Sequence, residues 1–199
     1  VLGHHADDQV ETVLMNLFRG TGNLGGMRAS SEVRIKGGRL ELLRPFLGVW
    51  RSILNTYLDE QGLRFREDES NASTLFLRNR IRANLMPCLK ETFRRDVTRA
   101  VARVAELAAG ESDFLDALVA GSDVAGRVNG QLSVPKLRVL GIALQRRVIL
   151  AWLRERGVAD VGFEVVERVR SMIDQESVAK VNLPGDKHAR RCRKALFVE

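Results

Sequence analysis

Cysteine is nearly missing from this chain. Two occur among its 199 residues, Cys88 and Cys192, and they stand in no metal-binding spacing. That argues against a disulfide-stapled scaffold and a cysteine zinc centre, and it suits free thiols in a reducing cytosol. No apolar run approaches the roughly 20 residues of a membrane span, and no signal peptide opens the chain. No membrane partner is therefore read, and the expected location is cytoplasmic. Internal repeats and low-complexity tracts are also missing. Histidine is scarce: His188 has no acid at useful spacing and is not read as catalytic, which leaves the adjacent pair His4-His5.

What is present is the composition of a globular protein, 45% apolar and 29% charged. The length suits one good core or two small domains. The formal charge of +7 and pI near 10.1 fit a nucleic-acid partner, although many ordinary basic proteins share them.

The densest chemistry lies at the start, in Gly3-His4-His5-Ala6-Asp7-Asp8-Gln9-Val10-Glu11-Thr12. Val10, Val13, Leu14, Leu17 and Phe18 recur at helical spacing and predict one apolar stripe. Asp8, Glu11, Thr12, Asn16 and Arg19 fall on another face. Val1-Leu2 reads as the end of a buried strand. A helix start needs one capping carboxylate, and this one holds several beside two imidazoles. Three readings compete: a capped surface helix with solvated acids, a metal site, and a nucleotide or substrate site whose acids orient an amine, a base or Mg²⁺. Glycines at 20, 22, 25 and 26 follow. They suit either a flexible helix exit or close approach of backbone to a phosphate or base.

Val33–Ile35 and Leu40–Leu43 flank Lys36-Gly37-Gly38-Arg39, a hairpin signal. Val49 to Gln61 predicts a helix, stopped by Gly62, with a brief strand over Leu63–Phe65. A polar loop, Arg66-Glu67-Asp68-Glu69-Ser70-Asn71-Ala72-Ser73, leads to Arg78-Asn79-Arg80-Ile81-Arg82. Arg78 and Arg82 are i, i+4 neighbours able to address one anion together. Pro87 suits a helix start. Asp96–Leu118 predicts a long amphipathic helix with a break near Gly110, and Arg94, Arg95, Arg99 and Arg103 form a basic edge at its start. Later come a short strand at Gly130–Val134, helices over Ile142–Arg156 and Phe163–Ile173, and strands at Val178–Leu183 and Ala195–Val198. Between those strands, His188, Arg190, Arg191, Arg193 and Lys194 read as a basic run. Trp50 and Trp152 are expected in cores.

The first motif, continued by Asn16-Leu17-Phe18-Arg19-Gly20-Thr21-Gly22, resembles the second motif of the tRNA(Ile)-lysidine synthetase family of PP-loop ATP pyrophosphatases. The Glu67-Asp68-x-Ser70-Asn71 loop, the Arg78-Asn79-x-x-Arg82 helix and Pro87 resemble that family's other hallmark, in the same order. The two motifs span residues 3 to 87. The resemblance implies an α/β fold: the C-terminal part of a PP-loop, Rossmann-type domain over residues 1–85, followed by a mostly helical tRNA-binding domain over 86–199 with short closing strands. It also implies an ATP-dependent ligase that adenylates the wobble cytidine of the CAU-anticodon isoleucine tRNA and lets L-lysine displace AMP.

Among the residues, the resemblance implies that Asp8 and Glu11 bind the lysine ammonium or orient the cytosine, with Asp8 a candidate base. His4 would face the nucleotide, and Arg78 would neutralise phosphate or the activated carbonyl oxygen, supported by Arg82. Arg19, Gly20 and Asn79 would line the same substrate pocket, while Glu67, Asp68 and Asn71 build the loop. ATP and Mg²⁺ are the implied cofactors, tRNA and L-lysine the partners, and a homodimer is compatible. The family's Ser-Gly-Gly-x-Asp-Ser loop does not occur in these residues. The chain is therefore expected to be a fragment without the PP-loop, poorly able to hold ATP and inactive in isolation. Alternatives are another PP-loop tRNA base modifier, or a non-enzymatic RNA-binding module made of the helical half and its basic tail.

Overall fold

The computed structural model describes residues 1–22, 24–64, 76–121, 126, 129–174 and 178–199. Its contacts divide the chain into two compact units, Val1–Gly110 and Glu111–Glu199. The expected boundary at residues 85/86 falls inside the first unit.

In the first unit, helix α1 (Ala6–Phe18) buries Ala6, Val10, Val13 and Leu14, with Asp8 and Glu11 buried beside them. The stripe continues in sequence through Leu17 and Phe18, but both of those are exposed. Strands β1 (Ser30–Ile35) and β2 (Gly38–Leu43) form the expected antiparallel hairpin, with Ile35 opposite Gly38. Gly37 makes the two-residue turn at φ +98°, a conformation that favours glycine. Val1 is exposed and no strand forms at Val1-Leu2; Leu2 instead donates its N–H to the Leu43 carbonyl at 2.8 Å, at the end of β2.

Helix α2 (Arg51–Glu60) ends where expected, with Gly62 at φ +62°. It buries no residue fully, and its apolar Ile53 and Tyr57 face solvent. Leu63 and Arg64 are not in a strand. Phe65 and the polar loop through Ser73, with Glu67, Asp68 and Asn71, lie outside the described residues.

Next comes a helix of three segments: α3 (Leu77–Arg80), a π turn (Ile81–Leu85) and α4 (Met86–Phe93). Pro87 explains the wide turn. It has no N–H to offer Ala83, and its ring would crowd that carbonyl in a regular α-helix. Helix α5 (Val97–Gly121) passes through Gly110 without the expected break. One glycine costs only about 1 kcal/mol, which neighbouring alanine, leucine and glutamate can carry. The first unit's core is small: Val10, Leu14 and Ile81, backed by partly buried Met15, Trp50, Leu85, Met86, Val101 and Ala102. Trp50 is thus a core margin residue, and the Arg99 guanidinium lies 5.6 Å from its ring centroid.

The second unit holds the larger core. Strand β3 (Leu132–Ser133), helices α6 (Val134–Arg138), α7 (Ile142–Glu155) and α8 (Phe163–Ser171), and strands β4 (Lys180–Leu183), β5 (Lys187–Cys192) and β6 (Ala195–Val198) follow in order. The strands form an antiparallel sheet in the order β3-β6-β5-β4. Trp152, Ile149, Val148 and Leu153 from α7 meet Val169 and Met172, together with Leu132, Ala189 and Leu196 from the sheet, all fully buried. The run read as basic, His188 to Lys194, is largely β5. Its inward Ala189 is buried, while Arg190 and Cys192 are exposed. Charged residues on both faces of the strand, Arg190 on one and Lys187 and Arg191 on the face of Ala189, hid its pattern. No helix among the described residues is long and apolar enough to cross a membrane. Cys88 and Cys192 are free and exposed.

Candidate active site

The site is built in the first unit from the opening turn of α1 and the segmented helix that starts at Leu77. His5 is the N-cap of α1, in extended conformation, and its N–H donates to Asp8 Oδ2 at 2.9 Å. This settles one carboxylate at the helix N-terminus, where unpaired N–H groups favour an anion. His5 also stands 3.4 Å from Asp7 and 3.5 Å from Asp8 through its two ring nitrogens. Asp7 accepts the N–H of Arg51 at 2.9 Å through the same Oδ2 that faces His5, and so caps α2.

Asp8 and Glu11, one turn apart, meet Arg78 and Arg82, also one turn apart. Arg78 Nε donates to Glu11 Oε2 at 2.6 Å and Arg82 Nε to Glu11 Oε1 at 2.7 Å. Asp8 Oδ1 lies 3.1 Å from Arg78 Nη2 and 3.3 Å from Arg82 Nη2. Groups 67 to 74 residues apart in sequence thus form one four-membered network. The acids are its floor and the guanidinium groups its rim, with 12% and 4% side-chain exposure for Asp8 and Glu11 against 34% and 35% for Arg78 and Arg82. Burial opposes the charge on Arg82, but the hydrogen bond and charge of Glu11 outweigh it and raise its pKa.

His4 belongs to the same neighbourhood. Burial pushes its imidazole below the ordinary histidine range; Arg78 and Arg44 push the same way and Asp8 pulls back. Its Nδ1 is buried and has no hydrogen-bond partner among the described residues. Asn79 is half-buried on α3 and Arg80 is exposed. Arg19 and Gly20 are not brought to the network. They close α1 at its far end, about 16 Å along the axis from Asp8 at 1.5 Å per residue.

The glycine-rich loop divides into two kinds of position. Gly20 and Gly22 have positive φ and open space around them, as turn-formers do. A Cβ on Gly25 would stand 3.1 Å from Ala109 Cα, and one on Gly26 would stand 2.7 Å from Gln9 Oε1. Those two glycines serve close packing within the protein. Arg44, which sequence reasoning passed over, holds the Arg28 carbonyl at 3.0 Å and the Ser31 hydroxyl at 2.9 Å through Nη1. Gln9 was missed as well. It stood inside a recognised motif, but nothing periodic tied it to a loop many residues on. Among the described residues no group of three or more His, Cys, Asp or Glu side chains is placed to hold a metal ion.

Comparison with known proteins places these features. Residues 1–89 match the PP-loop domain, and residues 132–197 match the TilS substrate binding domain. The fold is thus a PP-loop domain followed by a TilS substrate binding domain. One expectation is overturned: the chain does not lack the PP-loop domain, whose match runs from residue 1.

The chain is 39% identical to a tRNA(Ile)-lysidine synthase of Gloeobacter violaceus over 77% of its own length and 47% of the relative's. It is 32% identical to one of Thermosynechococcus vestitus over 96% and 56%, and 36% identical to one of Geobacter sulfurreducens over 92% and 40%. The chain spans about half the length of these curated relatives.

Proposed function

We propose that this chain is the part of a tRNA(Ile)-lysidine synthase that carries its acid–arginine site and substrate-binding domain. The reaction is ATP-dependent attachment of L-lysine to the wobble cytidine of the CAU-anticodon isoleucine tRNA, through an adenylated cytidine and with release of AMP. The observation that carries this reading is the order of the two matched domains within one chain, PP-loop at 1–89 and TilS substrate binding at 132–197. The functional division is proposed at residues 85/86, and the location is proposed as cytoplasmic.

An amide-like ring carbonyl is a poor electrophile, so adenylation supplies a leaving group, and a lysine ammonium must lose its proton before it attacks. The exposed outer edges of Arg78 and Arg82 suit a phosphate or a developing carbonyl oxyanion. Glu11 anchors both guanidinium groups by their Nε atoms at 2.6 and 2.7 Å. Asp8 holds them by longer contacts of 3.1 and 3.3 Å and is the acid able to exchange one for a substrate ammonium. His4, whose Nδ1 has no hydrogen-bond partner among the described residues, is placed to accept a proton there or to bond the nucleotide. Arg19, Gly20 and Asn79 are kept as substrate contacts outside this network. ATP would bring Mg²⁺ with it; Asp8 and Glu11 are engaged by the two guanidinium groups.

The test is AMP release from the full-length protein incubated with ATP, L-lysine and tRNA transcripts. Turnover only with the CAU-anticodon transcript supports the reading. Salt-sensitive tRNA binding without AMP release would replace it with the RNA-binding module, and lysine-independent turnover with another base modifier.

A further inference from the structure

Gln9 directly follows Asp8 on α1, yet it points away from the arginines to the glycine-rich loop. Its Nε2 donates to the Gly25 carbonyl at 3.1 Å and the Met27 carbonyl at 3.0 Å, and its Oε1 accepts the Met27 N–H at 2.7 Å. Both amide donors and the acceptor are thus spent on one backbone segment. The near end of the loop is tied to the same helix, where Thr21 donates its N–H to the Asn16 carbonyl at 3.1 Å. The described ends of the loop are thus tied to α1 at Asn16 and at Gln9, about 10 Å apart along the axis at 1.5 Å per residue, and Gly25 and Met27 meet the helix at the residue that follows Asp8. Past it, Arg44 takes the Arg28 carbonyl with its side chain and the Ala29 carbonyl with its N–H at 2.8 Å. None of the described residues between 20 and 29 is buried, so polar contacts rather than a core hold the loop. Gly26, at φ +66°, leaves no room for a Cβ against the Gln9 amide.

We propose that Gln9 is a positioning residue for the reaction, acting through the Gly25–Met27 backbone, which it fixes against the turn of α1 that carries Asp8. The proposal rests on the ligase reading above. Gln9→Glu is the sharpest probe. An ionised carboxylate repels the Gly25 and Met27 carbonyls, whereas the protonated acid restores one donor and keeps the acceptor. Gly26→Ala acts on the same contact from the other side.

The experiment measures kcat and KM for AMP release with the CAU-anticodon transcript, beside the melting temperature of each variant. With Gln9→Glu, kcat/KM at pH 8 falls about tenfold or more with the melting temperature little changed, and its ratio to wild type rises as the pH is lowered toward 5.5. Gly26→Ala costs less in a Gln9→Ala background than in the wild type, because the crowding against the Gln9 amide is gone while the strain at φ +66° remains. Wild-type kcat/KM in Gln9→Glu at pH 8, a defect independent of pH, or additive losses would overturn the proposal. A wild-type chain that releases no AMP instead fails the ligase reading, and the proposal falls with it.

Discussion

Glu11→Gln attacks the anchor of the site while changing almost nothing in volume. The carboxylate takes one Nε–H from each arginine, at 2.6 and 2.7 Å, and its side chain is 4% exposed. The amide can accept one of these bonds and must turn its own NH₂ toward the other, leaving donor against donor. Removing one partner of a buried ion pair costs about 3–5 kcal/mol. Arg78 and Arg82 are each about one-third exposed and recover some water, so the loss here is about 2–3 kcal/mol. The assay is native-state amide exchange of α1, which reads opening of the first unit separately from the second. Protection in α1 should fall by that amount while α7 keeps its own. A second arm replaces all four members: Asp8→Asn and Glu11→Gln with Arg78→Met and Arg82→Met leave no stranded charge and should recover most of the loss, since exchanging a complete buried ion network for neutral groups is often near neutral. Unchanged α1 protection, within about 0.5 kcal/mol, would refute a load-sharing anchor at Glu11.

Three further outcomes follow from the same geometry. The Glu167 carboxyl is held at a pKa of about 2 by hydrogen bonds from Arg146 and then Arg170; its folded-state value lies below its unfolded one, so its stabilisation is full above about pH 4.5 and is lost as pH falls toward 2. Glu167→Gln should accordingly flatten the acid limb of the second unit's unfolding curve, and an unaltered limb would count against the pairing. His4 should titrate below the ordinary histidine range by NMR, and Arg44→Met should raise that value by removing a like charge; an unmoved or lowered value would show that Arg44 does not act on it. Trp152 is fully buried and donates Nε1–H to the Gly130 carbonyl at 2.8 Å, so Trp152→Ala should cost the second unit about 3–5 kcal/mol in urea unfolding and Trp152→Phe clearly less.

The charge balance of the site bears on how it selects ligands. Two carboxylates facing two guanidinium groups leave the network neutral overall, yet its exposed part is cationic and its buried part anionic. An anion meets the rim first. A cation reaches Asp8 only by displacing an arginine, and the longer contacts at Asp8 make that exchange easier there than at Glu11. This asymmetry suits a reaction in which a phosphate and an amine must be present together.

Local chemistry was legible from the chain alone. The i, i+3 spacing of Asp8 and Glu11, the i, i+4 spacing of Arg78 and Arg82, the Lys36-Gly37 turn and the glycines that end α2 and α7 each express a relation within a few residues, and backbone geometry turns such relations into structure wherever they occur. Burial decided what these patterns did not. The apolar stripe of α1 runs to Phe18, but only its first three turns meet a core, and α2 keeps an open apolar side. The basic run at 188–194 concealed β5, because charged residues stand on both of its faces and no apolar alternation is visible until a sheet buries Ala189. Tertiary structure alone joined Glu11 to the arginines 67 and 71 residues away and Gln9 to the loop at Gly25–Met27. A hydrogen bond depends on where two atoms stand in space, and between distant residues that position is set by the packing of everything between them.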